Sequence, residues 1–166
     1  TDGWELSVGW RDSFKAGGKD FNYNLKVSVW DNLSKITKYT SKKGLLPTLY
    51  DNNYYEGMTI GEIWGYHVLG LFATDAEAAD WGPRQTATFT NNNSEVYQAG
   101  DLKFADLDDS GAVNNGDGTI YNHGDLRKIG NTTPRYCYGI NVGFNWNGIG
   151  VSTFWQGVAK KNWYPR

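Results

Sequence analysis

The strongest structural signal in the sequence lies at residues 134–157. Residues 134–146 read PRYCYGINVGFNW, residues 147–148 are Asn-Gly, and residues 149–157 read IGVSTFWQG. Asn147-Gly148 tolerates the positive φ angles that a type I′ turn requires, so it predicts a two-residue β-hairpin. Because side chains alternate along a strand, one face of the first strand is small and polar and the other is apolar. The apolar face carries Tyr136, Tyr138, Ile140, Val142, Phe144 and Trp146.

Two environments fit this hairpin, the core side of a soluble β-sandwich and the lipid side of an outer-membrane barrel. Tyr136 and Tyr138 lie at one end of the apolar face and Trp146 lies at the other, with aliphatic residues between them. Aromatic girdles bracket the hydrocarbon band of transmembrane barrels in the same way. The hairpin alone leaves both environments open.

The composition favours strands and turns over helices, since 166 residues include eight Trp, eleven Tyr and 21 Gly. A formal net charge of −2 gives no indication that nucleic acid is a partner. No apolar run approaches the ~18 residues of a transmembrane helix, which excludes a helical membrane protein. Cys137 is the only cysteine, so an intramolecular disulfide is excluded. The chain begins with Thr1, and we expect it to be processed or to be a piece of a longer polypeptide.

The N-terminal region predicts a second pair of amphipathic strands. Apolar residues occupy every second position of two segments, namely Trp4, Leu6, Val8 and Trp10, then Phe21, Tyr23, Leu25, Val27 and Val29. Residues 12–20 are predicted to form the turn between them, and extended structure is expected to continue to Tyr39. Lys26 falls on the polar side, where a water-filled lumen would solvate it and a dry interior would not.

Residues 41–133 interrupt this pattern. A short hairpin is predicted at residues 55–66. Thr74-Asp75-Ala76-Glu77 is a capping box, which predicts a helix over residues 75–80. Both short turns would then lie at one end of the sheet and the long insert at the other. Transmembrane barrels have this asymmetry of short periplasmic turns and long extracellular loops, whereas a β-sandwich has no reason to produce it.

Residues 106–117 have the spacing of a calcium-binding loop, with Gly at position 6 and a carboxylate at position 12. The predicted ligands are Asp106, Asp108, Ser110, the carbonyl group of Ala112, and Asp117. Two features favour a metal-free loop with Asx turns instead: the last ligand is Asp rather than Glu, and no amphipathic helices flank the loop. Both interpretations stay open.

The sequence contains no recognisable catalytic constellation. His67 and His123 are not accompanied by a Ser or Cys nucleophile motif. We therefore expect that the chain is not an enzyme.

Several motifs resemble one family. Residues 124–136 (GDLRKIGNTTPRY), Tyr138-Gly139-Ile140-Asn141 and residues 154–165 (FWQGVAKKNWYP) resemble the C-terminal half of SusC/RagA-type TonB-dependent outer-membrane transporters. Gly3-Trp4-Glu5, residues 61–66 (GEIWGY) and residues 100–108 (GDLKFADLD) resemble the same family in the same order. The resemblance covers nearly all of the chain.

The resemblance implies an importer of glycan or peptide oligomers in the outer membrane of a Gram-negative cell. Members of the family have a barrel of about 22 strands with an N-terminal plug. They work with a SusD-like surface lipoprotein and are energised by TonB through the N-terminal region. This chain departs from the pattern because it contains no plug, no TonB box and only about four barrel strands. The resemblance does not name the substrate or the partner.

The expected fold is therefore all-β, with antiparallel strands of a transmembrane β-barrel and one long extracellular loop. Residues 1–40 would form a strand pair with a short periplasmic turn, and residues 41–133 the long loop. Residues 134–158 would form the second barrel hairpin, and residues 159–166 the start of the next loop. The six apolar residues from Tyr136 to Trp146 would face outer-membrane lipid.

Five aromatic residues of the long loop are candidates for substrate contact, because aromatic faces stack on sugar rings. They are Tyr54, Tyr55, Trp64, Tyr66 and Trp81. Aromatic side chains also anchor loop folds, so this second role stays open. The alternative from another class is a secreted β-sandwich that binds carbohydrate and is stiffened by calcium at residues 106–117. It accounts for the aromatic residues but not for the asymmetry of the turns.

Overall fold

The computed structural model describes residues 1–48, 51–85 and 96–163, so the last three residues of the predicted final segment, 159–166, lie outside the described part. The chain forms two compact units. The first combines Thr1–Lys35 with the chain from Asn131 onward, and the second is Ile36–Gly130. The boundaries therefore fall a few residues before those expected at residues 40 and 133.

Antiparallel strands predominate, which confirms the all-β expectation. Within the described residues, no helix combines the length and the apolar character that crossing a membrane requires. In chain order the elements are β1 (Asp2–Ala16), β2 (Lys19–Leu33), β3 (Glu62–Gly65), β4 (Val68–Leu71), α1 (Asp75–Trp81), β5 (Leu102–Phe104), β6 (Arg127–Asn131), β7 (Arg135–Trp146) and β8 (Ile149–Lys160).

The first unit contains a four-stranded sheet in the order β1-β2-β7-β8. Asn147 and Gly148 have φ angles of 48° and 80°, which confirms the predicted two-residue hairpin. Gly17 and Gly18 form the other tight turn, with φ angles of 59° and 77°. Both turns lie at the same end of the sheet, because Phe21 at the start of β2 is paired with Trp146 at the end of β7.

Two predicted boundaries in this unit are wrong. Residues 12–16 were expected to lie in a turn, but they belong to β1, since Gly17 and Gly18 reverse the chain without further residues. Extended structure was expected to continue to Tyr39, but β2 ends at Leu33.

The second unit contains a two-stranded sheet of β3 with β6 and another of β4 with β5. The hairpin predicted at residues 55–66 is wrong, because β3 finds its partner in β6, more than 60 residues further along the chain. The predicted helix is confirmed as α1. Thr74 is its N-cap and accepts a hydrogen bond from the Glu77 amide at 3.2 Å.

The interior of the second unit is built around two groups of side chains. Leu46, Tyr55 and Met58 form one cluster, against which Ile36, Trp64, Ile120 and Leu126 pack. Near α1, the side chain of the fully buried Gln85 forms hydrogen bonds with the backbone of β5. Its amide nitrogen donates to the Leu102 carbonyl at 2.8 Å, and its oxygen accepts from the Phe104 amide at 3.1 Å. One carbonyl group and one amide group of β5 are thereby satisfied by a side chain.

Candidate functional site

The four-stranded sheet has one apolar face and one polar face. Directly opposed residues lie on the same face, and the pairing places Val8, Val27, Ile140 and Trp155 in one row across the four strands. Neighbouring rows of this face are also mostly apolar. The polar exceptions include Thr153 near the middle, Asp12 and Lys19 toward the turn end, and Asp31 at the other end, opposite Trp4. Within the described residues this apolar face is strongly exposed, with Trp10 at 60% and Trp155 at 65%.

Aromatic side chains concentrate toward both ends of the apolar face. At the turn end, the Phe21 ring lies 4.9 Å from that of Phe14 and stacks on Phe144 at 5.5 Å. Trp146 in the same region donates its indole N–H to the Ala16 carbonyl at 3.0 Å. Trp4 and Tyr138 lie toward the opposite end. Most of the residues between are aliphatic, and the exceptions include Trp10, Trp155 and Thr153.

The register confirms a common face for five of the six residues predicted to face lipid. They are Tyr138, Ile140, Val142, Phe144 and Trp146, opposite Val29, Val27, Leu25, Tyr23 and Phe21. The sixth, Tyr136, interrupts the regular alternation because its φ angle is 54°.

The neighbourhood of Tyr136 explains this irregularity. Its amide donates to Oδ1 of the buried Asp31 at 3.2 Å. Arg135 binds both oxygens of the same carboxylate, each at 2.6 Å. Asp31 thus engages two consecutive residues at the start of β7, an arrangement that a regular strand would not require.

The opposite face of the sheet carries polar side chains and glycines. Ser7 and Ser28 are hydrogen-bonded across β1 and β2 at 2.7 Å. Toward the turn end, a groove of about 770 Å³ lies over this face. Its polar lining includes Arg11, Asp12, Ser13, Asn22, Asn24, Asn145 and Ser152, and the register places the Asp12 side chain on the apolar face.

In the second unit, Glu62 is the centre of a buried polar cluster. Glu62 is 8% exposed, and its carboxylate accepts a hydrogen bond from the Tyr55 hydroxyl at 2.5 Å. The Trp64 indole N–H donates to the same oxygen at 3.3 Å. The other oxygen accepts from Lys128 Nζ and from the Thr59 amide, each at 2.9 Å. The carboxylate is therefore fully paired.

These contacts change the acidity of both partners. Burial alone would raise the pKa of Glu62, but the hydrogen bonds from Tyr55, Lys128 and Thr59 outweigh it and hold that pKa below its ordinary value. Burial, followed by the hydrogen bond and charge of Glu62, raises the pKa of Tyr55 well above its ordinary value. The pair is thus a neutral phenol donating to a carboxylate anion.

The structure separates the five aromatic candidates for substrate contact into two groups. Tyr55 is 3% exposed and Trp64 packs on the core, so both anchor the fold of the insert. Tyr66 is half-buried against Phe104, and burial with the charge of Asp125 raises its pKa to about 12.

Tyr54 is the most accessible of the five to a ligand. It is 39% exposed, and its ring meets that of Tyr39 edge-on at 6.2 Å. Trp81 is partly buried, and two cations lie over its ring, with Arg84 4.5 Å and Lys103 4.7 Å from the ring centre. Its indole N–H is already engaged by the Phe104 carbonyl at 3.0 Å.

The acidic loop assembles a different set of carboxylates from the one predicted. Asp106 and Asp108 lie with Asp125, their oxygens all within 4.8 Å of one another, and Asp117 is not part of this group. The Ala112 carbonyl accepts from Ser110 Oγ at 3.0 Å and from the Asn114 side chain at 2.9 Å. Calcium binding at this loop stays a prediction, and its oxygen donors would differ from those expected.

Asp125 gives the loop its shape. Its fully buried carboxylate accepts hydrogen bonds from the amides of Leu107 at 2.5 Å, Asp108 at 3.3 Å and Asn114 at 2.7 Å. Through these hydrogen bonds, the Asp125 carboxylate connects both ends of the loop to the segment just before β6. This contact pattern is structural and requires no metal.

Sequence reasoning missed three residues of these clusters. Glu62 and Lys128 are 66 residues apart, and no local pattern relates them. Asp125 lies beyond the calcium-like motif, although Gly124-Asp125 repeats the Gly-Asp pair at residues 100–101 and could have drawn notice. In the comparisons with known proteins, no family model and no curated protein matched this chain.

Proposed function

We propose that the chain is part of the barrel wall of a TonB-dependent outer-membrane importer similar to the SusC/RagA type. In this proposal the importer takes up glycan or peptide oligomers together with a SusD-like surface lipoprotein. The observation that carries the proposal is the exposed apolar face of the four-stranded sheet, which lies opposite an equally exposed polar face. A membrane barrel needs such a sheet, because lipid covers one face and water the other.

Strand length and aromatic placement support the same function. The apolar positions of β1 extend from Trp4 to Phe14, or 11 residues, the length that a tilted strand needs to cross a bilayer. Phe14, Phe21, Phe144 and Trp146 would form the girdle at the turn end. Trp4 and Tyr138 would belong to the opposite girdle.

The turns and the edges of the sheet add further support. Both two-residue turns lie at one end, as short periplasmic turns do, and the 95-residue insert Ile36–Gly130 begins at the other. Within the described residues no further strand pairs with the outer edges of β1 or β8. Long unpaired edges promote aggregation, and further strands of a barrel would cover them.

The β-sandwich alternative is less well supported. A sandwich buries its apolar face against a second sheet about 10 Å away. In the part of the first unit that the structure describes there is only one sheet. Its apolar side chains remain exposed.

The test uses the full-length protein in its native cells. An antibody to residues 101–125 should detect a large, detergent-extracted band in the outer membrane, and boiling should change its gel migration. A soluble band with the mass of 166 residues would refute the proposal.

A second measurement tests which face meets lipid. In a Cys137→Ser background, single cysteines at Val142 and Asn141 carry a spin label. The label at Val142 should collide with oxygen dissolved in the bilayer, and the label at Asn141 with a water-soluble nickel chelate. The reverse pattern would invert the facing of every strand in the sheet.

A further inference from the structure

The polar face of the sheet carries an excess of positive charge. Arg11 lies on β1 and Lys26 on β2, one row apart, since Arg11 is opposite Asn24 and Lys26 is opposite Gly9. Neither forms an ion pair within the described residues. Lys15 also forms no ion pair within the described residues, but the register places Asp20 directly opposite it.

The acidic side chains of this face are Glu5 on β1 and Asp20 on β2. The register separates each of them by at least four residues, or roughly 13 Å along a strand, from the positions of Arg11 and Lys26. The inward-facing residues of β7 and β8 that complete the same rows are Asn141, Gly143, Ser152 and Phe154. The centre of the face therefore has two uncompensated positive charges among neutral groups.

Glycines shape the floor of the groove beside Arg11. A Cβ atom at Gly143 would lie 2.6 Å from Asn24 Oδ1, and one at Gly150 would lie 3.1 Å from Asn145 Oδ1. The two amide groups thus lie across glycines of the adjacent strand. Both amide groups line the same groove as Arg11.

Arg11 lines this groove, and Lys26 lies one row beyond it on the same face. We propose that the groove and this neighbouring row bind a carboxylate-bearing oligosaccharide, with Arg11 and Lys26 holding the carboxylates. Arg binds a carboxylate through two parallel hydrogen bonds, and Asn and Ser side chains match the hydroxyl groups of a sugar. The inference rests on the proposed function for its biological meaning, because there the polar face lines the path of the imported oligomer. It narrows the substrate class from glycans in general to acidic ones.

The experiment measures binding of two probes to the full-length protein, purified from whichever cell fraction contains it. The probes are a trimer of galacturonic acid and the neutral trimer of galactose, titrated by calorimetry at low and high salt. The acidic trimer should bind at least tenfold more tightly at low salt and lose this advantage at high salt. Equal binding of the two trimers, or no binding of the acidic one, would overturn the inference.

Matched variants identify the groove as the site. Arg11→Gln should weaken binding of the acidic trimer about tenfold or more, and Lys26→Gln should weaken it as well. Lys15→Gln on the same face should have no effect, since Asp20 already faces that lysine. If Arg11→Gln leaves binding unchanged but lowers the unfolding temperature, an acidic group of the protein itself occupies the groove and the inference is wrong.

A second pair of variants tests the floor of the groove. Gly143→Ala should displace the Asn24 amide and weaken binding of the acidic trimer. Gly9→Ala lies on the same face, where the nearest atom to the new Cβ is 4.0 Å away, and should leave binding unchanged. Selective binding by a protein found outside the outer membrane would refute the proposed function while supporting the inference. Equal binding of both trimers by a heat-modifiable outer-membrane protein would support the proposed function and refute the inference.

Discussion

The Tyr55 hydroxyl donates a 2.5 Å hydrogen bond to Oε2 of Glu62 inside the insert, and this contact joins the loop before β3 to the strand itself. Both residues are buried, so neither can exchange this partner for water. The contact makes Tyr55 a part of the core rather than a surface for substrate.

Tyr55→Phe should destabilise the insert by about 1–3 kcal/mol, because it removes a hydrogen bond to a buried charged group. Tyr54→Phe is the matched control, since Tyr54 is its exposed neighbour, and its effect should stay within about 0.5 kcal/mol. Native-state hydrogen exchange of the amides around Met58 measures both changes. Equal protection in the two variants would contradict the core role of Tyr55.

Acid should loosen the same cluster. The folded-state pKa of Glu62 lies below its ordinary value of 4.5, so the ionised carboxylate contributes stability above that pH. This contribution is lost as the pH falls through the folded-state value. Glu62→Gln should therefore flatten the dependence of insert stability on pH below about 4.5. Hydrogen exchange at a series of pH values checks this, and parallel profiles for both proteins would refute it.

The facing of β7 predicts unequal effects of arginine at adjacent positions. Val142→Arg should cost about 2–4 kcal/mol if the residue lies near the bilayer midplane. Asn141→Arg should cost less, although Lys26 lies directly opposite and like charges in such a pair cost up to about 1 kcal/mol. Urea unfolding in lipid vesicles, monitored by loss of heat modifiability, measures both. Equal costs would contradict the assigned faces.

Substitution in the Asn-Gly turn should destabilise the sheet because of the turn's backbone conformation. Gly148 has a φ angle of 80°, and an L residue in this region costs about 1–2 kcal/mol, so Gly148→Ala should destabilise the sheet by that amount. Gly9→Ala in the middle of β1 should have no such cost, because its φ angle is ordinary and the site has room. The same urea assay compares the two, and a neutral Gly148→Ala would exclude the type I′ geometry.

Asp125 should be the most sensitive residue of the acidic loop. Asp125→Asn turns an N–H group toward amides that already donate to this side chain, so we expect a loss of about 1–3 kcal/mol. Asp117→Asn should be nearly neutral, since its contact with Asn122 is made by the backbone amide. Hydrogen exchange over residues 106–126 distinguishes the two.

Calcium titration of the Asp117→Asn and Asp108→Asn variants decides between the two sets of carboxylates. If the sequence-predicted set is correct, Asp117→Asn abolishes the heat of binding. If the carboxylate group seen in the structure is the relevant one, Asp117→Asn leaves the heat unchanged and Asp108→Asn abolishes it. An absence of heat in the unaltered protein at millimolar calcium would refute calcium binding altogether.

Local patterns were sufficient to predict much of the sheet and one helix. The alternation in β1, β2 and β7, the Asn147-Gly148 turn and the capping box at Thr74 all depend on residues within a few positions of one another. The predicted boundaries were less reliable. At residues 12–16, for example, a turn was predicted next to the glycines at 17 and 18, but these residues continue the strand β1. The candidate site was harder to predict, because of the five aromatic residues only Tyr54 is exposed.

The apolar and polar faces of the four long strands can be read from local sequence, because strand periodicity is a property of neighbouring residues. Only the tertiary structure decided that β3 pairs with β6, that Glu62 meets Lys128, and that Asp125 rather than Asp117 joins the other carboxylates. These contacts connect residues far apart in the chain. Their formation depends on burial and on which buried polar groups need partners, and neither can be read from local spacing.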